Sequence, residues 1–351
     1  MSSVYKVTEI EGKGLGCVAT VDIEKGSLIL IENPQICGNT EEGKERSKWI
    51  KSLLKSFKRM RKADQIEYMA LHNKYNNFQD SQIVEYHLGL IEFLKEEVKD
   101  WKLEIGKIEQ NPEKAEEILK ICCIYSTNSF ASGVNIKTSR FNHSCEPNAT
   151  PVVMLNGEHQ VRSISKIKVG EEINISYNID PFFGFRNRKF RQKSLLMKWF
   201  FICSCDLCEN DVDINSDASE VLIQEAETLA KDRRSAVEAG ISLGPLYYSL
   251  ENCKKDVSLY KQLYKVGKTQ KIQPYFLYKL LDEAFDTATL GYQLHKDAEL
   301  KMDAVNFAKA CEKFEKILGN AVVTLTSGKP NYWKDIYQNY EKWLQIPTAY
   351  K

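Results

Sequence analysis

Three cysteines crowd into one short run, "FICSCDLCEN": Cys203, Cys205 and Cys208. Their C-x-C-x-x-C spacing suits zinc, which takes four thiolate or imidazole ligands in a tetrahedron at a structural site. A redox pair is a poorer fit, because Cys205 and Cys208 do not open a helix after a strand as a thioredoxin-like motif does. Three ligands leave one position open. Cys145 is the natural candidate, since it sits in a polar segment with no other evident task. His143 and His159 are weaker ones. The remaining cysteines, Cys17, Cys37, Cys122, Cys123, Cys253 and Cys311, are scattered and read as small buried hydrophobes.

Cys145 belongs to "SRFNHSCEPNAT", Ser139 to Thr150, where hydrogen-bonding side chains are packed between Phe141 and the apolar "PVVML". Such a run is neither ordinary core nor an ordinary solvated loop. A second chemical candidate is "EGKGLGCVATVDIEKG", with Gly12, Gly14 and Gly16 at alternate positions. The spacing is wrong for a dinucleotide loop, and a strand follows where that fingerprint needs a helix. A tight β-turn accounts for the glycines; they would also let backbone approach a ligand closely. No Ser-His-Asp or Cys-His constellation is present.

The chain of 351 residues is long enough for two or three domains, and its 49 Lys+Arg balance 48 Asp+Glu. That balance argues against a protein whose main task is to coat nucleic acid, so direct nucleic-acid binding is not expected. The basic run "KSFKRMRK" (Lys55 to Lys62) reads as a solvated helix face, with a nuclear-import or nucleic-acid patch as the alternative. No stretch is apolar enough to span a membrane, and the N-terminus has no apolar signal region. The 10 cysteines are therefore expected in a reducing compartment, the cytoplasm, the nucleus or both.

Several elements must position these residues. Residues 4 to 34 read as strands, with "EKG" turning between "GCVATVDI" and "SLILIENP". From Glu41 the apolar period becomes helical: Trp49, Leu53, Leu54, Phe57 and Met60 share one face. A second helical run carries Ile83, Leu90, Ile91, Leu94, Val98 and Trp101, and a third opens at Asn111-Pro112. Strands return at "TPVVML", "HQVRSI" and "EEINISY", with Asn156-Gly157 as a hairpin turn. Beyond Asp211 the chain reads as helical; Asp217 and Glu220 suggest a capping box, and "DAVNFAKACEKFEKIL" is amphipathic.

In this order, "GKGLGCVA", "RFNHSCEPNA" and "GEEINISYNID" followed by the cysteine run resemble the SET-domain protein methyltransferases. The split β portions, the cysteines that follow and the helical C-terminal part look most like the SET and MYND (SMYD) family, over nearly the whole chain. One departure is plain. Only Cys37 lies where that family carries its MYND zinc finger, so the finger is absent. The resemblance implies an α+β fold: a SET β-core with a pseudoknot, a helical insertion, a zinc-bound post-SET segment and a TPR-like α-helical C-terminal domain. The corresponding divisions are 1–36, 37–121, 122–180, 181–211 and 212–351.

The implied reaction is methyl transfer from S-adenosylmethionine to a lysine of a histone or another protein. Tyr177 matches the active-site tyrosine that orients the amine, with Phe130 and Trp199 completing the lysine channel. Trp199 stands where the family usually has a second tyrosine, and Arg140 where an apolar residue is common. Asn142 and His143 match the cofactor-contacting pair, His143 through its backbone. Asn128 matches an asparagine at the cofactor's amino-acid end, and Phe201 would stack on the adenine. Lys13, Leu15 and Ser139 also fall at cofactor-binding positions, and Lys13 offers its backbone with its side chain in reach of the cofactor carboxylate. Cys145 would join Cys203, Cys205 and Cys208 on the zinc. The resemblance further implies a monomer with partner proteins on the C-terminal helices. The alternative is a non-catalytic SET scaffold that binds such partners.

Overall fold

The glycine run is a tight turn. In the computed structural model, which describes residues 3–37, 46–73, 112–130, 133–154, 158–178, 180–210, 220–228, 249–318 and 332–345, β1 (Tyr5–Ile10) pairs antiparallel with β2 (Gly14–Ala19). Gly12 and Gly14 take φ of 71° and 73°, the left-handed region that disfavours a Cβ. The Lys13 N–H closes the turn on the Ile10 carbonyl at 3.0 Å.

A three-stranded antiparallel sheet lies next in the order β3 (Leu28–Glu32), β9 (His159–Ser163), β8 (Ala149–Val153). Its inward residues Ile29, Ala149 and Val161 join Cys17, Ala19, Phe141, Ile173 and Ile175 in one core. A second small sheet orders β4 (Ile36–Cys37), β6 (Gly133–Val134) and β5 (Ser129–Phe130). The polar segment supplies β7 (Asn142–His143), which runs parallel to β10 (Asn174–Ile175) with His143 opposite Ile175. Asn148 fastens the pair: its Nδ2 donates to Glu172 O and its Oδ1 accepts from Asn174 N, both at 2.8 Å. The segment thus spends Asn148 on the backbone around β10 and buries Phe141 in the core it shares with Ile173 and Ile175.

Helices α1 (Arg46–Arg59), α2 (Lys62–Met69) and α3 (Pro112–Asn128) form the insertion. Leu53 and Phe57 bury as their spacing predicts, against Tyr68, Ile118, Ile121 and Ile124. Tyr68 donates its buried hydroxyl to Ile121 O at 2.8 Å, tying α2 to α3. Lys55, Lys58, Arg59 and Lys62 are exposed, the solvated face expected of the basic run. The predicted run from Ile83 to Trp101, the Asn156-Gly157 turn and Asp217 lie outside the described residues, although helix does occupy 220–228.

The remaining helices are α4 (Arg188–Trp199), α5 (Asp206–Glu209), α6 (220–228), α7 (Leu250–Thr269), α8 (Pro274–His295), α9 (Ala298–Leu318), α10 (Tyr332–Gln338) and α11 (Tyr340–Leu344). Phe182, Phe183 and Phe185 share one core with α7, α8 and α9, so the cysteine-rich link and the C-terminal helices bury a common surface. Close contact depends on missing side chains. A Cβ on Gly184 would sit 2.3 Å from Phe276 Cδ2, and one on Gly267 2.6 Å from Phe185 Cε1. The start of α8 docks on the polar segment, where Gln273 Nε2 donates to Pro147 O at 3.0 Å and Thr150 Oγ1 donates to Tyr275 Oη at 3.2 Å. Among the described residues no helix is long and apolar enough to cross a membrane.

Candidate active site and metal centre

The sulfurs of Cys145, Cys203, Cys205 and Cys208 lie within 4.8 Å of one another, and all four residues are buried. Local structure brings them there. Asn187 caps α4 by accepting from Phe190 N at 2.8 Å. At the other end Phe200 turns the chain back with φ of 64°. Cys203 follows in extended chain, and the short α5 opens at Cys205, whose carbonyl accepts from Cys208 N at 2.7 Å. Cys145 then arrives from the polar segment, with its Sγ 3.6 Å from that of Cys208. Hydrogen bonds among the four sulfurs lower the Cys205 and Cys208 thiols and raise those of Cys145 and Cys203, so the acidic pair is the one that ionises first. Thiolate is the form that binds metal, and four buried thiols suit zinc. The buried Arg191 places Nη2 3.7 Å from Cys208 Sγ, a positive charge beside ligands that outweigh a dication. Of the three candidates for the fourth ligand, Cys145 is the one in the cluster. His159 is buried elsewhere, against Phe130 at 4.7 Å between ring centroids.

His143 connects this centre to Tyr177. The Tyr177 N–H donates to His143 Nδ1 at 3.0 Å, so the ring proton belongs on Nε2, which faces Cys145 Sγ at 3.4 Å. Burial pushes His143 down to about 3, which keeps it neutral in this role. Tyr177 donates its hydroxyl to the Phe141 carbonyl at 3.0 Å. Its ring lies 5.6 Å from Trp199 and 6.0 Å from Phe201, the latter edge-on. Burial raises the Tyr177 phenol, so it keeps its proton at neutral pH. The result is an aromatic-walled site with one oriented hydroxyl.

Beside it lies a charged network. Glu172 accepts from Lys13 Nζ through Oε2 at 2.7 Å and from Asn142 Nδ2 through Oε1 at 2.9 Å. Gly16 leaves room for both: a Cβ there would sit 2.5 Å from Asn142 Nδ2 and 2.9 Å from Glu172 Oε1.

The model of the SET domain family matches residues 14–178, the stretch that holds Gly14, Asn142, Glu172 and Tyr177. The match places residues 14–178 among chains similar to the SET domain. Among curated relatives, histone-lysine N-methyltransferase SET5 of Saccharomyces cerevisiae is 34% identical over 98 residues, 28% of this chain and 18% of that protein. Protein-lysine N-trimethyltransferase SMYD5 of Homo sapiens is 39% identical over 94 residues, 26% of this chain and 22% of that protein. The matched stretches thus span under a third of these relatives. Among solved structures, the SET domain of LSMT bound to lysine and AdoHcy is 14% identical with a TM-score of 0.39, covering 97% of this chain and 87% of that one.

The residues singled out from sequence for the aromatic channel and the cofactor fall into four places. Tyr177, His143, Trp199 and Phe201 share the aromatic site. Lys13 and Asn142 meet through Glu172, and the Lys13 N–H closes the turn on Ile10 O. Asn128, Ser139 and Phe130 lie at the end of α3. Both amide hydrogens of Asn128 go to backbone carbonyls, Ile124 O and His72 O at 2.8 Å, and Ser139 Oγ donates to Asn128 O at 3.2 Å. Phe130 packs against the β-core cluster that Tyr177 also borders. Leu15 is exposed on β2 opposite Glu9. Sequence reasoning passed over Glu172. The available signal was an acid beside the buried Ile173, just after the turn at Gly170.

Proposed function

We propose that this chain is a protein-lysine N-methyltransferase that uses S-adenosylmethionine and acts on a lysine of a histone or another protein. The observation that carries the reading is the oriented Tyr177 hydroxyl, held on the Phe141 carbonyl between the Trp199 and Phe201 rings. The names of the SET5 and SMYD5 relatives support the same chemistry. Lys13 and Asn142 offer a cation and an amide to a zwitterionic amino-acid group, and Phe201 an aromatic face to an adenine, so the residues present fit the cofactor.

Bound S-adenosylmethionine supplies an electrophilic sulfonium methyl group. The protein must present a neutral amine to it. A free lysine has a pKa near ~10.4, so roughly one in a few thousand is neutral at pH 7. Desolvation against the Tyr177 and Trp199 rings lowers that pKa. Because the Tyr177 proton points at Phe141 O, the hydroxyl's lone pairs remain to accept an N–H from the amine and aim its free pair. Tyr177 keeps its own proton, so it orients rather than deprotonates. His143 fixes the Tyr177 backbone, and its other nitrogen rests on the cysteine centre. Cys145, Cys203, Cys205 and Cys208 would hold a structural zinc that secures the wall bearing Trp199 and Phe201. The enzyme acts in the cytoplasm, the nucleus or both, as a monomer whose C-terminal helices receive protein partners. Phe130 borders the lysine side, and Leu15, Asn128 and Ser139 the cofactor side.

Isothermal titration tests the cofactor site. Asn142→Ala should weaken S-adenosylmethionine binding by about tenfold or more, with an unchanged circular dichroism spectrum. Wild-type affinity in that variant would place the cofactor elsewhere.

A further inference from the structure

We propose that Glu172 is a positioning residue that tunes the site to the zwitterionic amino-acid end of its cofactor. The inference rests on the S-adenosylmethionine reading and goes beyond it by naming the group that sets polarity at that end. The carboxylate is ion-paired to Lys13 at 2.7 Å and is therefore acceptor-only. Its contact with Asn142 at 2.9 Å must use the amide hydrogen of Asn142. That fixes the side-chain amide: Nδ2 faces Glu172, and Oδ1 is left as an acceptor for a ligand ammonium. The same carboxylate keeps Lys13 folded toward Asn142, within reach of a ligand carboxylate. One acid thus sorts an acceptor from a cation.

The backbone holds Glu172 in place independently of both partners. Its carbonyl accepts from Asn148 Nδ2 at 2.8 Å, and its backbone bridges Val18 of β2. Gly16 belongs to the same device, because a Cβ there would overlap both Asn142 Nδ2 and Glu172 Oε1. Glu172 does not touch the reacting atoms in this account; it acts through Lys13 and Asn142.

The test compares two probes by isothermal titration: S-adenosylmethionine, and 5′-methylthioadenosine, which lacks the amino-acid end. Wild type should bind both. In Glu172→Gln the first should weaken by about tenfold or more and the second by less than about twofold, since only the first uses the sorted groups. Gly16→Ala, which displaces the same two side chains, should reproduce the selective loss, with thermal melts confirming that both variants fold. Unchanged affinity for both probes in Glu172→Gln, or a parallel loss of both, would overturn the proposal. Failure of wild type to bind either probe would overturn the cofactor reading itself, an outcome visible before any variant is made.

Discussion

At the scale of single residues, burial decides what each polar group can do. His159 shows this most simply. Thr138 gives its hydroxyl hydrogen to the buried Glu32 carboxylate at 3.0 Å, so His159 Nδ1, 3.3 Å from Thr138 Oγ1, must carry the ring proton. Burial lowers His159 from 6.5 to about 4. The unfolded chain takes up this proton below about 6.5 and the native state only near 4, so native stability falls as pH drops through that window. The loss is on the order of 3 kcal/mol. His159→Gln should make the profile of urea midpoint against pH shallower between 7 and 4, leaving the part that His143 contributes, and parallel profiles for variant and wild type would remove His159 as a source. None of this was legible from sequence, where His159 read as a weak zinc candidate. The cysteines were legible because C-x-C-x-x-C has few other uses, and Tyr177 and Asn142 because they sit inside recognisable motifs. Glu172 carries no such spacing and shows its role only when Lys13 and Asn142 converge on it.

At the scale of elements, alternation and helical period located the strands and helices, but not their joints. Arg140 is the example. It stands where an apolar residue is common, and the structure supplies the reason: its guanidinium donates to Ala70 O at 3.0 Å and Glu67 O at 3.3 Å, capping the end of α2. It fastens the insertion to the polar segment, a pairing across distant residues that no local pattern announces. Gly184 is a second such joint. It lies in the buried turn Phe183–Phe185, with Phe276 of α8 directly over it. Gly184→Ala must push Phe276 aside, and overpacking of this kind costs about 1–3 kcal/mol. A thermal melt should show the loss, and an unchanged melting temperature would mean that α8 is not seated on this turn.

At the scale of the whole molecule, two cores meet at the candidate site, because Tyr177 borders both. The β-core carries Asn142 and Tyr177, the insertion has a core of its own beside it, and the C-terminal helices share their core with the cysteine-rich link. No motif in the chain announces the merging of link and helices, which rests on Phe182, Phe183 and Phe185. One consequence concerns the metal. Purified protein should contain one zinc per chain, and Cys145→Ser with Cys203→Ser should lose it and destabilise the link together with α7 and α8. Zinc well below one per chain in wild type, or retained in the double variant, would refute the assignment. The central claim is catalytic and calls for one measurement: methyl transfer from tritiated S-adenosylmethionine to a proteome array by wild type and Tyr177→Phe, with the labelled lysines located by mass spectrometry. The account predicts lysine labelling by wild type and a loss of about a hundredfold in Tyr177→Phe, because the misplaced amine no longer meets the methyl group in line. Equal labelling by both proteins, or none by wild type on any substrate, would contradict it.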